Sequence, residues 1–251
     1  MKFNNRFDVS QKRVLITGAT SGIGFATAHL LINLGCTVYV VGRNVDKLKE
    51  LALFGKEKVI SIQADLRDKE DTRKIVESID KIDSFVHSAG VVKNVPLQFI
   101  NKEYMESERS LNYDSFLFLT QMLIKKRKID FNGSIISISS IAAHFGINGL
   151  SIYCGIKAAL IATSKVFAKE LSYNKIRVNT VSPGMVRTEM VNSAEENQLT
   201  KEALTLDEKK YPLGYGTPDD VAYCIGFLIS DASSWITGQD IIIDGGRTCY
   251  V

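Results

Sequence analysis

Short apolar runs rich in Val and Ile alternate along this chain with longer stretches whose apolar residues recur every three or four positions. The first pattern predicts buried strands and the second predicts helices lying on them. Strands are expected at Arg13 to Thr17, Thr37 to Val41, Val59 to Gln63, Ser84 to His87, Ser134 to Ser140, Arg177 to Ser182 and Ile241 to Ile243. Helical spacing follows the first run through Ala26, Leu30, Leu31 and Leu34. It recurs from about Asp68 to Ile79, Lys102 to Arg127 and Ser151 to Leu171. Another helix starts at Thr217-Pro218-Asp219-Asp220, where Thr caps, Pro takes the first position and acids fill the first turn. About seven strands alternating with about six helices predict an α/β fold, a doubly wound parallel sheet with helices on both faces. No linker, repeat or low-complexity segment divides residues 1–251, so one domain is expected. The polar, irregular stretch from about 188 to 212 reads as a lid.

Composition narrows the function without naming it. A hydrophobic content of 45% and a charged content of 24% are ordinary for a globular protein. A net charge of +3 is too weak to argue for nucleic acid, and no Arg/Lys block is interleaved with aromatics. The basic run Lys125-Lys126-Arg127-Lys128 falls where a helix ends, and cations suit that end of the dipole. Cys36, Cys154, Cys224 and Cys249 form no ligand spacing with the histidines, so reduced thiols and no metal are expected. The N-terminus lacks an apolar signal region and no stretch reads as a membrane span, which leads to the expectation of a soluble, cytoplasmic protein.

Candidate chemistry sits at the ends of the predicted strands. Thr17-Gly-Ala-Thr-Ser-Gly-Ile-Gly24 is a glycine turn between a strand and a helix. Such a junction offers free backbone N–H groups and a positive dipole end to a phosphate. Gly18 permits the tight turn, and Gly22 and Gly24 permit close approach of backbone to a pyrophosphate and of helix to sheet. After the second strand stands Gly42-Arg43, with no acid to repel a 2′-phosphate and a guanidinium able to pair with it. That favours NADP(H) over NAD(H). Asp65 follows the third strand and either caps the next helix or meets an adenine. Small residues Ser88-Ala89-Gly90 would let a cofactor pass close to backbone. His87 reads as a packed or hydrogen-bonded strand residue.

Tyr153 and Lys157 are four apart on a predicted helix and therefore share a face. An ammonium beside a phenol favours the phenolate, which would lower the Tyr153 pKa from about 10. Ser140 closes an apolar run, at the strand end where open α/β sheets bind ligands. Asn112 lies among the apolar positions of a helix, an unfavourable place for it unless it faces a site.

With the glycine turn, a Ser thirteen positions before the Tyr, and Tyr-x-x-x-Lys together, the chain resembles the short-chain dehydrogenase/reductase family from about Phe7 to Gly246. A Rossmann-like fold is implied. Pro183-Gly184 and the closing Ile-Thr-Gly-Gln-Asp-Ile-Ile-Ile-Asp-Gly-Gly look most like the 3-oxoacyl-[acyl-carrier-protein] reductase branch. The resemblance implies Tyr153 as general acid, Lys157 as holder of the nicotinamide ribose, Ser140 as partner of the substrate carbonyl, and Asn112 as support for a water chain behind Lys157. Implied cofactor contacts are Gly18, Thr20, Ser21, Gly22, Ile23 and Gly24 in the turn, then Arg43, Asp65, Leu66, Ser88, Ala89, Gly90, Tyr153, Lys157, Pro183, Gly184, Val186 and Thr188. A homotetramer, or a homodimer, packed through the helices of Asn112 and Tyr153 is implied as well. Two departures stand out: His87-Ser88 replaces Asn-Asn, and Ser21 stands where many NADP users carry a base.

The leading expectation is thus NADPH-dependent reduction of a ketone, small or acyl-carrier-bound, to a secondary alcohol. Oxidation of a sugar, polyol or other small alcohol is the alternative enzyme, and a non-catalytic nucleotide-binding regulator the alternative of another class. The regulator would have lost some of Ser140, Tyr153, Lys157 or Asn112; all are present.

Overall fold

The computed structural model describes residues 5–188 and 201–250. Its strands are β1 (Arg13–Thr17), β2 (Thr37–Gly42), β3 (Val59–Gln63), β4 (Ile82–His87), β5 (Ile129–Ile138), β6 (Arg177–Pro183) and β7 (Asp240–Ile243). All pair in parallel as one seven-stranded sheet in the order β3-β2-β1-β4-β5-β6-β7. The doubly wound α/β sheet read from the pattern is the observed one.

Side chains alternate across each strand, so each apolar run must feed two cores. Val14 and Ile16 of β1 enter one cluster with Leu31, Ile225 and Leu228, whereas Leu15 enters the other with Phe85, Phe116 and Leu160. Helices α1 (Gly22–Asn33) and α2 (Val45–Gly55) flank the first strands, and α3 (Lys69–Ser78) follows β3. Then come α4 (Lys102–Arg109), α5 (Ser115–Lys125), α6 (Ser151–Glu170), α7 (Lys201–Glu208) and α8 (Pro218–Ile229). Phe85 and Phe116 are fully buried, and each such side chain contributes about 1.5–3 kcal/mol.

Several elements depart from the sequence reading. Helix α2 was not expected; it buries only Leu48 and Leu51, too narrow a stripe to stand out, and owes its start to Asn44 accepting from the Lys47 N–H (3.1 Å). Asp68, not Asp65, caps α3 by accepting from the Glu70 and Asp71 N–H groups. The expected long helix to Arg127 is interrupted by a π turn, Ser110–Asp114. Lys128 donates to the Ile79 carbonyl, so the basic run is partly spent inside the fold. Of the expected lid, residues 189–200 lie outside the described residues, and 201–208 form α7 rather than irregular chain.

By length and composition, Ser151–Asn174 is long and apolar enough to cross a membrane, with mean hydropathy 1.2, contrary to the expectation of no such stretch. The same helix buries Lys157, Leu160, Ser164 and Ala168 within this fold. A helix packed on a sheet meets the apolar criterion for that reason.

In a parallel sheet every carboxyl end lies on one edge. The order reverses between β1 and β4, which opens a crevice there. Ser88, just past β4, donates from its N–H to the Thr17 carbonyl (3.2 Å) across that point.

Candidate active site

Gly18 takes φ +67°, and a Cβ there would lie 2.7 Å from the Ala89 nitrogen, so only glycine fits between the two strand ends. A Cβ on Gly24 would sit 2.2 Å from the Gly18 oxygen, which is why α1 can start so close to the turn. No side chain caps α1 and no acid lies in its first turn. Its N-terminal N–H groups and dipole therefore remain available to an anion. This cradle fits a pyrophosphate.

The turn opens into a cavity of about 690 Å³ whose walls include Gly18, Ser21, Gly22, Ile23, Ser88, Ala89 and Gly90. The same cavity is lined by Asn112, Ser140, Tyr153, Lys157, Pro183, Gly184, Val186 and Thr188. Residues spread over some 170 positions of sequence are thus brought to one space. Thr20, Gly24, Arg43, Asp65 and Leu66 are not among its walls. The Thr20 side chain instead packs on Gly42, where a Cβ would meet it at 2.3 Å. Leu66 is buried in the core, and Arg43 pairs with Asp65 at the solvent (3.7 Å). Asp65 also faces Arg67 (3.8 Å).

Each candidate group has its own local reason for its place. Ser140 caps a short turn after β5, its hydroxyl oxygen accepting from the Ala142 N–H (3.1 Å). Helix α6 then delivers Tyr153 and Lys157 one turn apart, with the ammonium 5.4 Å from the Tyr153 ring centre. Lys157 is buried and donates to the Ile138 carbonyl (2.8 Å). Asn112 occupies the π turn, a distortion common at functional sites. Its carbonyl oxygen accepts from the Val91 N–H (3.1 Å), and its amide donates to the Glu108 carbonyl (3.0 Å) and carboxylate (3.3 Å).

The electrostatics correct one expectation. The Tyr153 pKa is not lowered: burial pushes it up to about 12, the Ser140 hydroxyl opposing. Lys157 lies over the ring and is bonded elsewhere, so it does not stabilise the phenolate oxygen here. Burial lowers the Lys157 pKa to about 8, and Glu108 opposes that fall. Glu108 is itself raised by burial. His87 is packed as expected, with Thr17 at one ring nitrogen (2.9 Å) and Ser115 at the other (3.3 Å). Burial, with Lys157 adding to it, lowers its pKa to about 3, so it is neutral near pH 7.

Sequence reasoning missed Glu108 and, in the far wall of the cavity, Met185 and Arg247. Glu108 stands four before Asn112, a helical neighbour that i to i+4 spacing would have found. The far wall includes Phe145, Met185, Asp207, Lys210, Tyr211 and Arg247, and only tertiary folding gathers those.

Comparison with known proteins decides the family. A family model described as enoyl-(acyl carrier protein) reductase matches residues 18–248. The 3-oxoacyl-[acyl-carrier-protein] reductase FabG of Rickettsia conorii is 38% identical over 240 residues, covering 95% of this chain and 98% of the relative. The chain belongs to the short-chain dehydrogenase/reductase family. It is an NAD(P)-dependent oxidoreductase, as expected. A Listeria innocua relative named NAD-dependent glycerol dehydrogenase is 32% identical, covering 98% of this chain and 97% of that one. Among solved structures, a Brucella melitensis short-chain dehydrogenase/reductase superposes with a TM-score of 0.89 at 28% identity, covering 96% of this chain and 98% of that one.

Proposed function

We propose that this chain reduces a ketone, such as a 3-oxoacyl chain on an acyl carrier, to a secondary alcohol with NADPH in the cytoplasm. The observation that carries this reading is the meeting of Ser140, Tyr153 and Lys157 in one cavity with the glycine cradle. The turn Gly18, Thr20, Ser21, Gly22, Ile23 and Gly24 would hold the pyrophosphate. Arg43, Asp65 and Leu66 would meet the adenosine end, and Pro183, Gly184, Val186 and Thr188 the nicotinamide. When bound, the nicotinamide supplies the hydride.

The protein's own groups do the rest. Ser140 donates to the substrate carbonyl oxygen and steadies the negative charge that develops there. Tyr153 delivers its phenolic proton to that oxygen. With a pKa of about 12 it rests in the protonated form a general acid requires. Lys157, as ammonium, would orient the nicotinamide ribose. Asn112 keeps the chain behind Lys157 in place through its bonds to Val91 and Glu108. Phe118 and Val166 lie exposed on α5 and α6, which supports assembly through these helices into a homotetramer or homodimer.

A second reading is NAD-linked oxidation of a small alcohol. It is favoured by the Listeria relative's name and by the pairing of Arg43 with Asp65, which places an acid beside the ribose-binding base. Fluorescence titration with NADPH and NADH separates the two, followed by turnover on a 3-oxoacyl thioester, an enoyl thioester and glycerol. Tighter NADPH binding and 3-oxoacyl turnover are expected. Turnover of glycerol with NAD alone would sink the reductase.

A further inference from the structure

Among the described residues, four charged side chains line the large cavity: Lys157, Asp207, Lys210 and Arg247. The first three are committed within the protein. Lys157 bonds the Ile138 carbonyl. Asp207 pairs with Lys210 (2.9 Å) and accepts from the Tyr215 hydroxyl (2.9 Å). The guanidinium of Arg247 has no carboxylate or carbonyl acceptor among the described residues; its contacts are two aromatic rings. It lies 5.2 Å from the Phe145 ring centre and 5.9 Å from that of Tyr211.

A guanidinium stacked on rings is held in place while its in-plane N–H donors stay unused. The backbone that carries it is anchored too. Asp244 accepts from the Gly246 N–H (2.9 Å) and the Thr248 N–H (2.7 Å) on either side of Arg247. Arg247 and Lys210 also border a second hollow of about 440 Å³, lined among the described residues by Lys209 and Pro212 as well. Among the described residues no carboxylate lines it. A positioned, half-buried cation without a counter-ion among the described residues, where two spaces meet, is a recognition element for an anion.

We propose that Arg247 determines substrate choice by binding an anionic group, a carboxylate or a phosphate, that the ketone carries away from its reacting carbonyl. This rests on the ketone-reductase reading above. The anion has two chemical sources: a free oxo acid, or the phosphate of a pantetheine arm bearing an oxoacyl chain. Two matched pairs separate them. One is a long-chain oxo acid against its methyl ester; the other is a 3-oxoacyl pantetheine thioester with and without its phosphate.

Expected is a preference of about ten- to hundredfold in kcat/KM for the anionic member of one pair, the range of one charge-assisted contact. Arg247→Met, which keeps an apolar stem against the rings, removes that preference: the anionic member's kcat/KM falls to that of the neutral member. Arg247→Lys retains part of it, which separates loss of charge from loss of fold. Equal use of both members in both pairs, or a preference that survives Arg247→Met, overturns the proposal. If no ketone is turned over with either cofactor, the reductase reading fails by itself. Calorimetric binding of 4′-phosphopantetheine and of the oxo acid to wild type and Arg247→Met then decides the anion site: binding lost in the variant sustains it, and binding equal in both, or absent from wild type, overturns it.

Discussion

The two ends of the proposed cofactor track are built on opposite physical terms. At the reacting end Asn112 is 0% exposed and Lys157 5%, each held by short hydrogen bonds to backbone. At the adenosine end Arg43 and Asp65 are 63% and 36% exposed, and their charges meet only at 3.7 Å. Buried polar groups that lose a partner carry the full desolvation penalty, so the reacting end tolerates little change. Exposed ion pairs are worth about 0.2–1 kcal/mol and are screened by salt. On the proposed reading, chemistry lies where the fold resists change, and the choice between NADP and NAD where one substitution is cheap.

The largest test of this contrast is at the buried end. Tyr153→Phe is expected to lower kcat by about 10²- to 10⁴-fold, the usual share of a general acid, while cofactor titration stays as in wild type. Turnover that survives the change refutes the role of Tyr153. Next in size is an acid response seated in the same end. His87 stays neutral to about pH 3, whereas in the unfolded chain it protonates near its ordinary 6.5. Its contribution is complete above the unfolded value and is lost as pH falls toward 3, on the order of a few kcal/mol. His87→Asn should flatten the decline of stability with acid, read as urea midpoints between pH 7 and 4. An unchanged decline would place the acid response elsewhere.

A smaller effect is expected from Glu108, which bonds Asn112 and supports the Lys157 charge. Burial holds the Lys157 pKa at about 8, so the ammonium that the proposed mechanism requires is lost as pH rises through that value. The cost of burying this charge is complete below pH 8. Stability rises with pH from there to the unfolded value of 10.5, because only the unfolded chain is still protonated in that window. Removing the Glu108 carboxylate withdraws support for the ammonium. Glu108→Gln should thus shift the alkaline limb of kcat/KM to lower pH; a limb that stays in place means that Glu108 is structural only. The smallest effect belongs to the exposed end. Arg43→Ala should weaken NADPH by up to about fivefold, less at high salt, with NADH unaffected. Equal losses for both cofactors would remove Arg43 from the discrimination.

Legibility in the sequence followed the range of the interactions. Strand runs such as Val14 to Ile16 and the Thr217 cap were readable because each signal lies within a few residues. The glycine turn and Tyr153–Lys157 were readable for the same reason, and Ser140 because it ends a strand run. Helix α2 was missed since only Leu48 and Leu51 mark its buried face. The expected fall in the Tyr153 pKa was wrong because spacing along a helix states proximity, not desolvation or competing bonds. Burial outweighed the neighbouring cation, which the Ile138 carbonyl had already engaged.

By itself the sequence determined which segments pair into a parallel sheet and which residue types stand at its carboxyl edge. Periodicity and glycine placement are local properties of the chain, and the edge follows from parallel order. Only the tertiary structure decided which of those residues share a cavity, that Glu108 stands behind Asn112, and that Arg247 meets Phe145 and Tyr211 at its far wall. Burial and unmatched charge depend on what is packed around a group, and neighbours distant in the chain supply that environment.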